Sequence, residues 1–342
     1  MTGQLRIIQA GPAMTLQDLG RPGYRAQGMT VGGAADTIAV YEGAALLGQS
    51  PGQAVLEMAG SGGAFTADRD LRIALTGAEM TASIDGEALI WNASHLLPAG
   101  ATLTIGGARN GSYGYLHVGG GFDTPLVMGS RAAHLACGIG RLLKSNDTLP
   151  LGADSGHATG MTLPTPDRFG GGRIRIVASM QTASYDAETL SRFAATHFRR
   201  DARANRMGVR MDFDGEGFSS DAALGIVSEV VVPGDIQISG DGAPYVLMFE
   251  CQTTGGYPRI GSVLPCDLPR VAQAQTGSDM HFGFVDMADA IALQSRYQSE
   301  LKILKSRITP LIRDPSTIRD LLAYQLISGA ISATANPFEK EH

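Results

Sequence analysis

The sequence predicts a mainly β protein with some α: two strand-rich units followed by a helical extension. Three observations predict it. Glycine occurs 45 times in 342 residues, about twice the usual share of roughly 7%, without a period, so it marks turns. Four Asx-Gly steps, Asp85-Gly86, Asn110-Gly111, Asp214-Gly215 and Asp241-Gly242, supply the positive-φ positions of hairpin turns between short apolar runs. Few segments carry a helical period, and short strands at this spacing point to antiparallel sheets or barrels.

The first helix is expected in "DTIAVYEGAALLG", with Asp36 as N-cap, Ile38, Tyr41, Ala45 and Leu47 near one face, and Gly48 past its end. Strands flank Asp85-Gly86 ("MTASI", "EALIW") and Asn110-Gly111 ("TIGGAR", "SYGYLHV"). The Pro- and Gly-rich segment Thr162–Arg173, "TLPTPDRFGGGR", separates the two units. A second helix starts at Asp186 and buries Leu190 and Phe193. Beyond Asp241-Gly242, "PYVLMF" reads as a buried strand. From Asp286 to Thr309 the pattern is helical, with Tyr297, Leu301, Leu304, Ile308 and Leu311 along one seam that covers the parent fold or joins a partner. Pro310 ends it, and Asp314-Pro315 opens another helix. The divisions are therefore 1–165, 170–285 and 286–342.

Composition narrows the function. Hydrophobic residues make up 44% and charged residues 18%, with a formal net charge of -6. No basic cluster offers a nucleic-acid face. No run approaches the roughly 18 apolar residues of a membrane span, and the N-terminus lacks an apolar signal region. Three widely spaced cysteines make no disulfide framework or zinc knuckle. A cytoplasmic protein is expected. Nucleotide-loop, nucleophile-elbow and zinc-protease motifs are absent. The seven histidines are scattered, so no metal site is expected. His117 reads as a strand residue and Cys251 as a buried structural thiol.

Three polar, glycine-rich loops stand out. Thr15–Asp36 carries Arg21 and Arg25 around a Pro-Gly turn and leads by Gly32-Gly33 into the first helix, a setting suited to a carboxylate or phosphate. Val118–Arg131 runs from a strand into glycines with Asp123 and Arg131 at its end. Cys251–Gly261, "CQTTGGYPRIG", offers an amide, two hydroxyls, glycine-freed N–H groups and a phenol after a buried strand. Gln252, Thr253, Thr254 and Tyr257 are the candidate catalytic residues, with donors at Gly255 and Gly256. Arg21, Asp36, Arg131 and Arg206 are the candidate substrate-binding residues, the arginines as carboxylate clamps.

"TLQDLGRPGYR", "LTGAEM", "YLHVGGGFDTPLVMGSR", "NRMGVRM", "SEVVVPGDIQI" and "QTTGGYPRIGSV" together resemble the family of the 5-oxoprolinase C subunit. It is also called the KipA or allophanate hydrolase subunit 2 family and described as a biotin-dependent carboxyltransferase domain family. The likeness runs from Leu5 to Phe282. It implies two cyclophilin-like β-barrels and partner subunits of the KipI and LamB/YcsF types. It further implies a hetero-oligomer that opens a small cyclic amide, 5-oxo-L-proline, to L-glutamate with ATP shared with those partners. The alternatives it carries are the carboxyltransferase component of a biotin-dependent, urea carboxylase-like enzyme, with biotin brought by another chain, and a non-enzymatic KipA-like regulator. The sequence departs from the family pattern at "MTVGGAAD", at Glu250-Cys251, where Asp-Arg is common, and at Ala132-Ala133.

Overall fold

The computed structural model describes residues 3–156, 158–219 and 228–312. The first unit contains β1 (Gln4–Gln9), β2 (Met14–Gln17), β3 (Val55–Ala59), β4 (Ala64–Ala67) and β5 (Leu71–Ile84). It continues with β6 (Glu87–Ala88), β7 (Ala93–Leu97), β8 (Thr102–Val118), β9 (Thr148–Pro150) and β10 (Met161–Thr162). The second contains β11 (Gly172–Val177), β12 (Phe198–Ala204), β13 (Gly208–Asp212), β14 (Glu229–Val230) and β15 (Asp235–Ile238). Next come β16 (Pro244–Leu247), β17 (Thr254–Gly255), β18 (Arg259–Val263) and β19 (Asp279–Phe284); β20 (Thr309–Pro310) lies near the end of the described chain. The helices are α1 (Thr37–Leu47), α2 (Ala187–Ala195), α3 (Leu268–Gln273) and α4 (Met287–Ile303).

The protein is mainly β. The first sheet has eleven strands ordered β20-β10-β7-β5-β8-β4-β1-β9, with β2, β3 and β6 branching from it. The second closes as a seven-stranded barrel, β11-β18-β15-β16-β13-β12-β19, through a parallel β11–β19 pair. In the barrel, alternation sends Ile236, Ile238, Val209 and Val246 into the core, leaving Gln237, Ser239, Gly208, Tyr245 and Leu247 on the outer face. Phe193, Phe198, Phe218 and Phe282 fill the interior with rings 5.1–5.7 Å apart. The barrel core is continuous with Ala35, Val40 and Tyr115 of the first unit, so the two units share one apolar body.

Local signals locate α1: the Asp36 side chain accepts from Ala39 N, and Gly48 closes the helix at φ 67°. The face expected to be buried is not the deepest. Of that face Leu47 is buried, while Ile38, Tyr41 and Ala45 are half-buried; Ala39, Val40, Gly43, Ala44 and Leu46 are also buried, because the helix is covered on several sides. At Gly43 a Cβ would fall 2.3 Å from the His117 ring, so this glycine sets how closely α1 meets β8. The second helix forms as expected, capped by Asp186 with Phe193 buried and Leu190 half-buried.

Asp85-Gly86 makes a two-residue hairpin turn, Ile84 pairing with Glu87. Asp241-Gly242 lies in a longer loop joining β15 and β16, with Ile238 opposite Pro244. Asn110-Gly111 makes no turn: Asn110 pairs with Glu79 in the middle of β8, and Gly111 (φ 91°) sits where a Cβ would meet Phe169 and Ala78 within 2.8 Å. The bulge lets the long β5–β8 ribbon bend. Asp214-Gly215 follows β13, whose partners are β12 and β16, so no hairpin is centred there among the described residues.

The helix expected to reach Thr309 ends at Ile303. A 3-10 turn follows over Leu304–Arg307, and the chain then extends as β20 against β10. Pairing with a free sheet edge outweighs continuation of the helix. Leu301, Leu304 and Ile308 pack against Leu46, Leu47 and Leu163, so the seam covers its own fold. The helix expected from Asp314 lies outside the described residues.

Candidate functional site

Two cavities share one wall. The first, about 350 Å³, lies on the outer face of the barrel beneath the loop 252–257, lined by Gln237, Tyr245, Gln252 and Tyr257 among others. The second, about 380 Å³, lies between the first sheet and the barrel, lined by Thr15, Glu57, Tyr113, Leu135 and Glu250 among others. Asn205 and Met207 line both. Their turn is tight because Asn205 Oδ1 accepts from Met207 N and Gly208 N, 2.7 and 3.2 Å away.

In the first cavity Gln237 is 3% exposed, and its Nε2 has no hydrogen-bond partner among the described residues. Gln252 Nε2 donates to Gln237 Oε1 at 3.3 Å. That contact leaves Gln237 Nε2 as a donor and Gln252 Oε1 as an acceptor. Leaving a buried donor unmade costs about 1–3 kcal/mol, and Gln237 Nε2 shares that state with other buried atoms such as Arg21 Nη1; what sets it apart is its place on the wall of the first cavity beside Gln252. Gly255 lies directly on this amide, since a Cβ there would fall 2.4 Å from Gln237 Nε2.

Of the other residues of the "QTTGGYP" loop, only Tyr257 also lines this cavity, and it is half exposed. Thr254 is exposed and Thr253 half-buried; Thr254 and Gly255 form β17 against β14, and Gly256 is exposed. Cys251 is buried with Val231 and Leu247, and burial pushes its thiol up to about 12, so it is a packing residue.

Arg206 stands at the second cavity and is fully engaged. Its Nε donates to Glu250 Oε1, its Nη1 to Glu57 Oε1 and its Nη2 to Gly33 O, each at 2.5 Å. Burial alone would lower its pKa, but the two carboxylates raise it above the ordinary value. Arg131 opens on a different cavity, donating to Thr124 O at 2.7 Å and Asp123 Oδ1 at 2.5 Å.

Two expected ligand-binding residues occupy the interior. Arg21 is 1% exposed, its Nε donating to Val127 O and its Nη2 to Ala132 O. It braces the loop before Arg131 where a carboxylate clamp was expected, and Asp18 is spent on Gly20 N, Ser130 Oγ and Arg131 N. Asp36 is wholly buried. It accepts from Arg168 Nε at 2.7 Å, Gln273 Nε2 at 2.8 Å and Ala39 N, a set that saturates it far from solvent. The structure thus brings Gln252 and Tyr257 to the first cavity, with Gly255 against Gln237 and Arg206 in the shared wall; Thr253, Thr254 and Gly256 are not among the residues lining it, and Arg21, Asp36 and Arg131 lie elsewhere.

Sequence reasoning missed Gln237, Asn205 and Glu57. A signal existed for the first: in "DIQIS" the alternation sets a carboxamide on the face opposite two core isoleucines.

Comparison with known proteins follows the same regions. The family model for the carboxyltransferase domain, subdomain A and B, matches residues 27–284. The chain is 34% identical over 308 residues to the C subunit of 5-oxoprolinase from Escherichia coli (strain K12), covering 87% of this chain and 97% of that one. The crystal structure of TTHA0988 superposes with a TM-score of 0.74 at 30% identity; the match covers 82% of this chain and 56% of the other. Kluyveromyces lactis urea carboxylase shares the fold, with a TM-score of 0.78 at 21% identity over 91% of this chain and 31% of that one. The chain therefore spans about half or less of each solved structure.

Proposed function

Because this chain belongs to the carboxyltransferase-domain family of subdomains A and B, we propose that it is the C subunit of an ATP-dependent 5-oxoprolinase, opening 5-oxo-L-proline to L-glutamate with partner subunits. The observation that carries this reading is the likeness to the 5-oxoprolinase C subunit of Escherichia coli, which extends over 97% of that relative. The geometry adds a reason. A lactam presents C=O and N–H side by side, and Gln237 Nε2 beside Gln252 Oε1 offers the complementary donor and acceptor.

This chain's role is to bind and orient the cyclic amide. Donation from Gln237 to the lactam oxygen strengthens as charge develops there, which favours attack on the carbonyl carbon. Tyr257 and the loop around Gly255 cover the ring and limit water. The arginines named from the sequence present no free guanidinium edge to a triphosphate: Arg131 and Arg206 hold protein acceptors, and Arg21 is buried, with Nε and Nη2 bound and Nη1 without a partner among the described residues. No step of this reading therefore passes through ATP on this chain, and subunits of the KipI and LamB/YcsF types are where it is engaged. A cytoplasmic complex fits a chain whose described helices include none long and apolar enough to cross a membrane.

The test is reconstitution. Glutamate release from 5-oxo-L-proline and ATP is expected with all three subunits and absent with this chain alone. Turnover by the single chain, or none by the complete set, overturns the reading. The family likeness to urea carboxylase makes transfer of a carboxyl group from carboxybiotin to urea the second assay; activity there with no glutamate release favours the carboxyltransferase alternative.

A further inference from the structure

On the barrel wall, away from both cavities, strand pairing assembles three potential metal ligands. The β12–β19 ladder pairs Phe198 with Met280 and Arg199 with Asp279. One step further in that register, His197 falls opposite His281. The two imidazole rings lie edge to face, 4.1 Å between centroids. Asp279 is on the same strand face as His281, and its Oδ2 is 3.5 Å from His197 Nδ1. One ligand atom from each residue lies within 4.8 Å of the other two. The Nδ1 of His281 is buried and has no hydrogen-bond partner among the described residues.

We propose that His197, His281 and Asp279 form a site for one divalent transition-metal ion of the zinc, cobalt or nickel class. Around a tetrahedral ion with bonds of about 2.0–2.2 Å, ligand atoms stand roughly 3.3–3.6 Å apart. The His197–Asp279 separation already falls there, and rotation of exposed side chains closes the rest. Two imidazoles with one carboxylate select ions of this class over calcium and magnesium, which take oxygen ligands. With the His197 and Asp279 side chains 71% and 62% exposed, water can supply the fourth ligand.

Neighbouring charge permits it. Arg173 pairs with His281 across β11–β19, but its side chain lies over Gly283, its Nε 3.3 Å from where a Cβ would stand. Arg199 is turned to Asp214 at 3.0 Å. The carboxylate of Asp279 is thus the nearest charge to the ion.

The site sits on the seam between β12 and β19, which holds only two registered residue pairs. An ion bridging the strands ties this seam, so binding raises the stability of the barrel by linkage.

The experiment uses the full chain without a purification tag, stripped of metal by chelator. Zinc is titrated by calorimetry and cobalt by its visible absorption. One ion per chain is expected, with a rise in melting temperature. His197→Ala and His281→Ala are each expected to weaken binding by more than about tenfold and to abolish the thermal shift. His197 is exposed, so its variant keeps the metal-free melting temperature; Asp279→Asn, with a smaller loss, serves as a second check. Unchanged binding in both histidine variants, no binding by the wild-type chain, or preference for magnesium overturns the proposal.

Discussion

Glu57 on β3 and Arg206 in the turn between β12 and β13 form an ion pair 2.5 Å long that joins the first sheet to the barrel, their side chains 3% and 14% exposed. Glu250 holds the same guanidinium from the other side. Buried charge tolerates loss of a partner poorly, because the groups left behind stay desolvated. Arg206→Met strands two carboxylates and is expected to cost about 3–5 kcal/mol in urea unfolding. A loss within the range of surface pairs would mean that water already reaches the pair.

The paired amides lead to a different signature. Gln237→Leu removes a buried donor without a partner among the described residues and, with it, the acceptor of one long bond from the exposed Gln252, so the melting temperature should change little. Loss of one substrate hydrogen bond, about 0.5–1.5 kcal/mol, should lower kcat/KM of the reconstituted complex roughly threefold to tenfold. A lower melting temperature with unchanged turnover would make Gln237 a packing residue.

Gly43→Ala should reverse the usual sign. Within a helix, alanine is favoured over glycine by about 0.5–1 kcal/mol. Here the new methyl would fall 2.3 Å from His117, and overpacking costs about 1–3 kcal/mol. Net destabilisation in thermal or urea unfolding is expected; a stabilised variant would show that α1 can slide away from β8.

His117 sets an acid limit. Burial pushes its pKa from the ordinary 6.5 down to about 3. As pH falls below 6.5 the unfolded chain takes up a proton that the folded chain refuses until about 3, so stability falls across that window, at about 1.4 kcal/mol per pH unit. Burial holds His134 and His95 low as well and adds to the slope. Glu42, raised by burial, opposes it. In urea unfolding between pH 6 and pH 4.5, His117→Asn should flatten the dependence; an unchanged slope would assign it to the other groups.

What could be read in the sequence was local. Asp36 and Gly48 bound α1 through contacts within a turn or two, and Asp85-Gly86 fixes its hairpin by its own dihedrals. Asn110-Gly111 has the same chemistry, yet the partner strand β5 pulls it into a bulge, a decision made more than thirty residues away. The exposed "QTTGGYP" loop was legible because its polar groups had no local use. The places of Arg21 and Asp36 were not, since Ala132, Arg168 and Gln273 come to them only through the fold. His197 and His281 become neighbours only by strand register.

The Pro- and Gly-rich stretch between the units would ordinarily act as a joint. Here Thr162 pairs with both Ala93 and Thr309, Arg168 reaches Asp36 and Glu42 under α1, and Arg270 of α3 grips the carbonyls of Asp167 and Gly171. The stretch is stitched along its length, from one side by the first sheet and from the other by the barrel and the tail. Moving one unit against the other would therefore mean breaking the buried pairs of Arg168 with Asp36 and Glu42, so the stretch between the units is a joint already closed by charge.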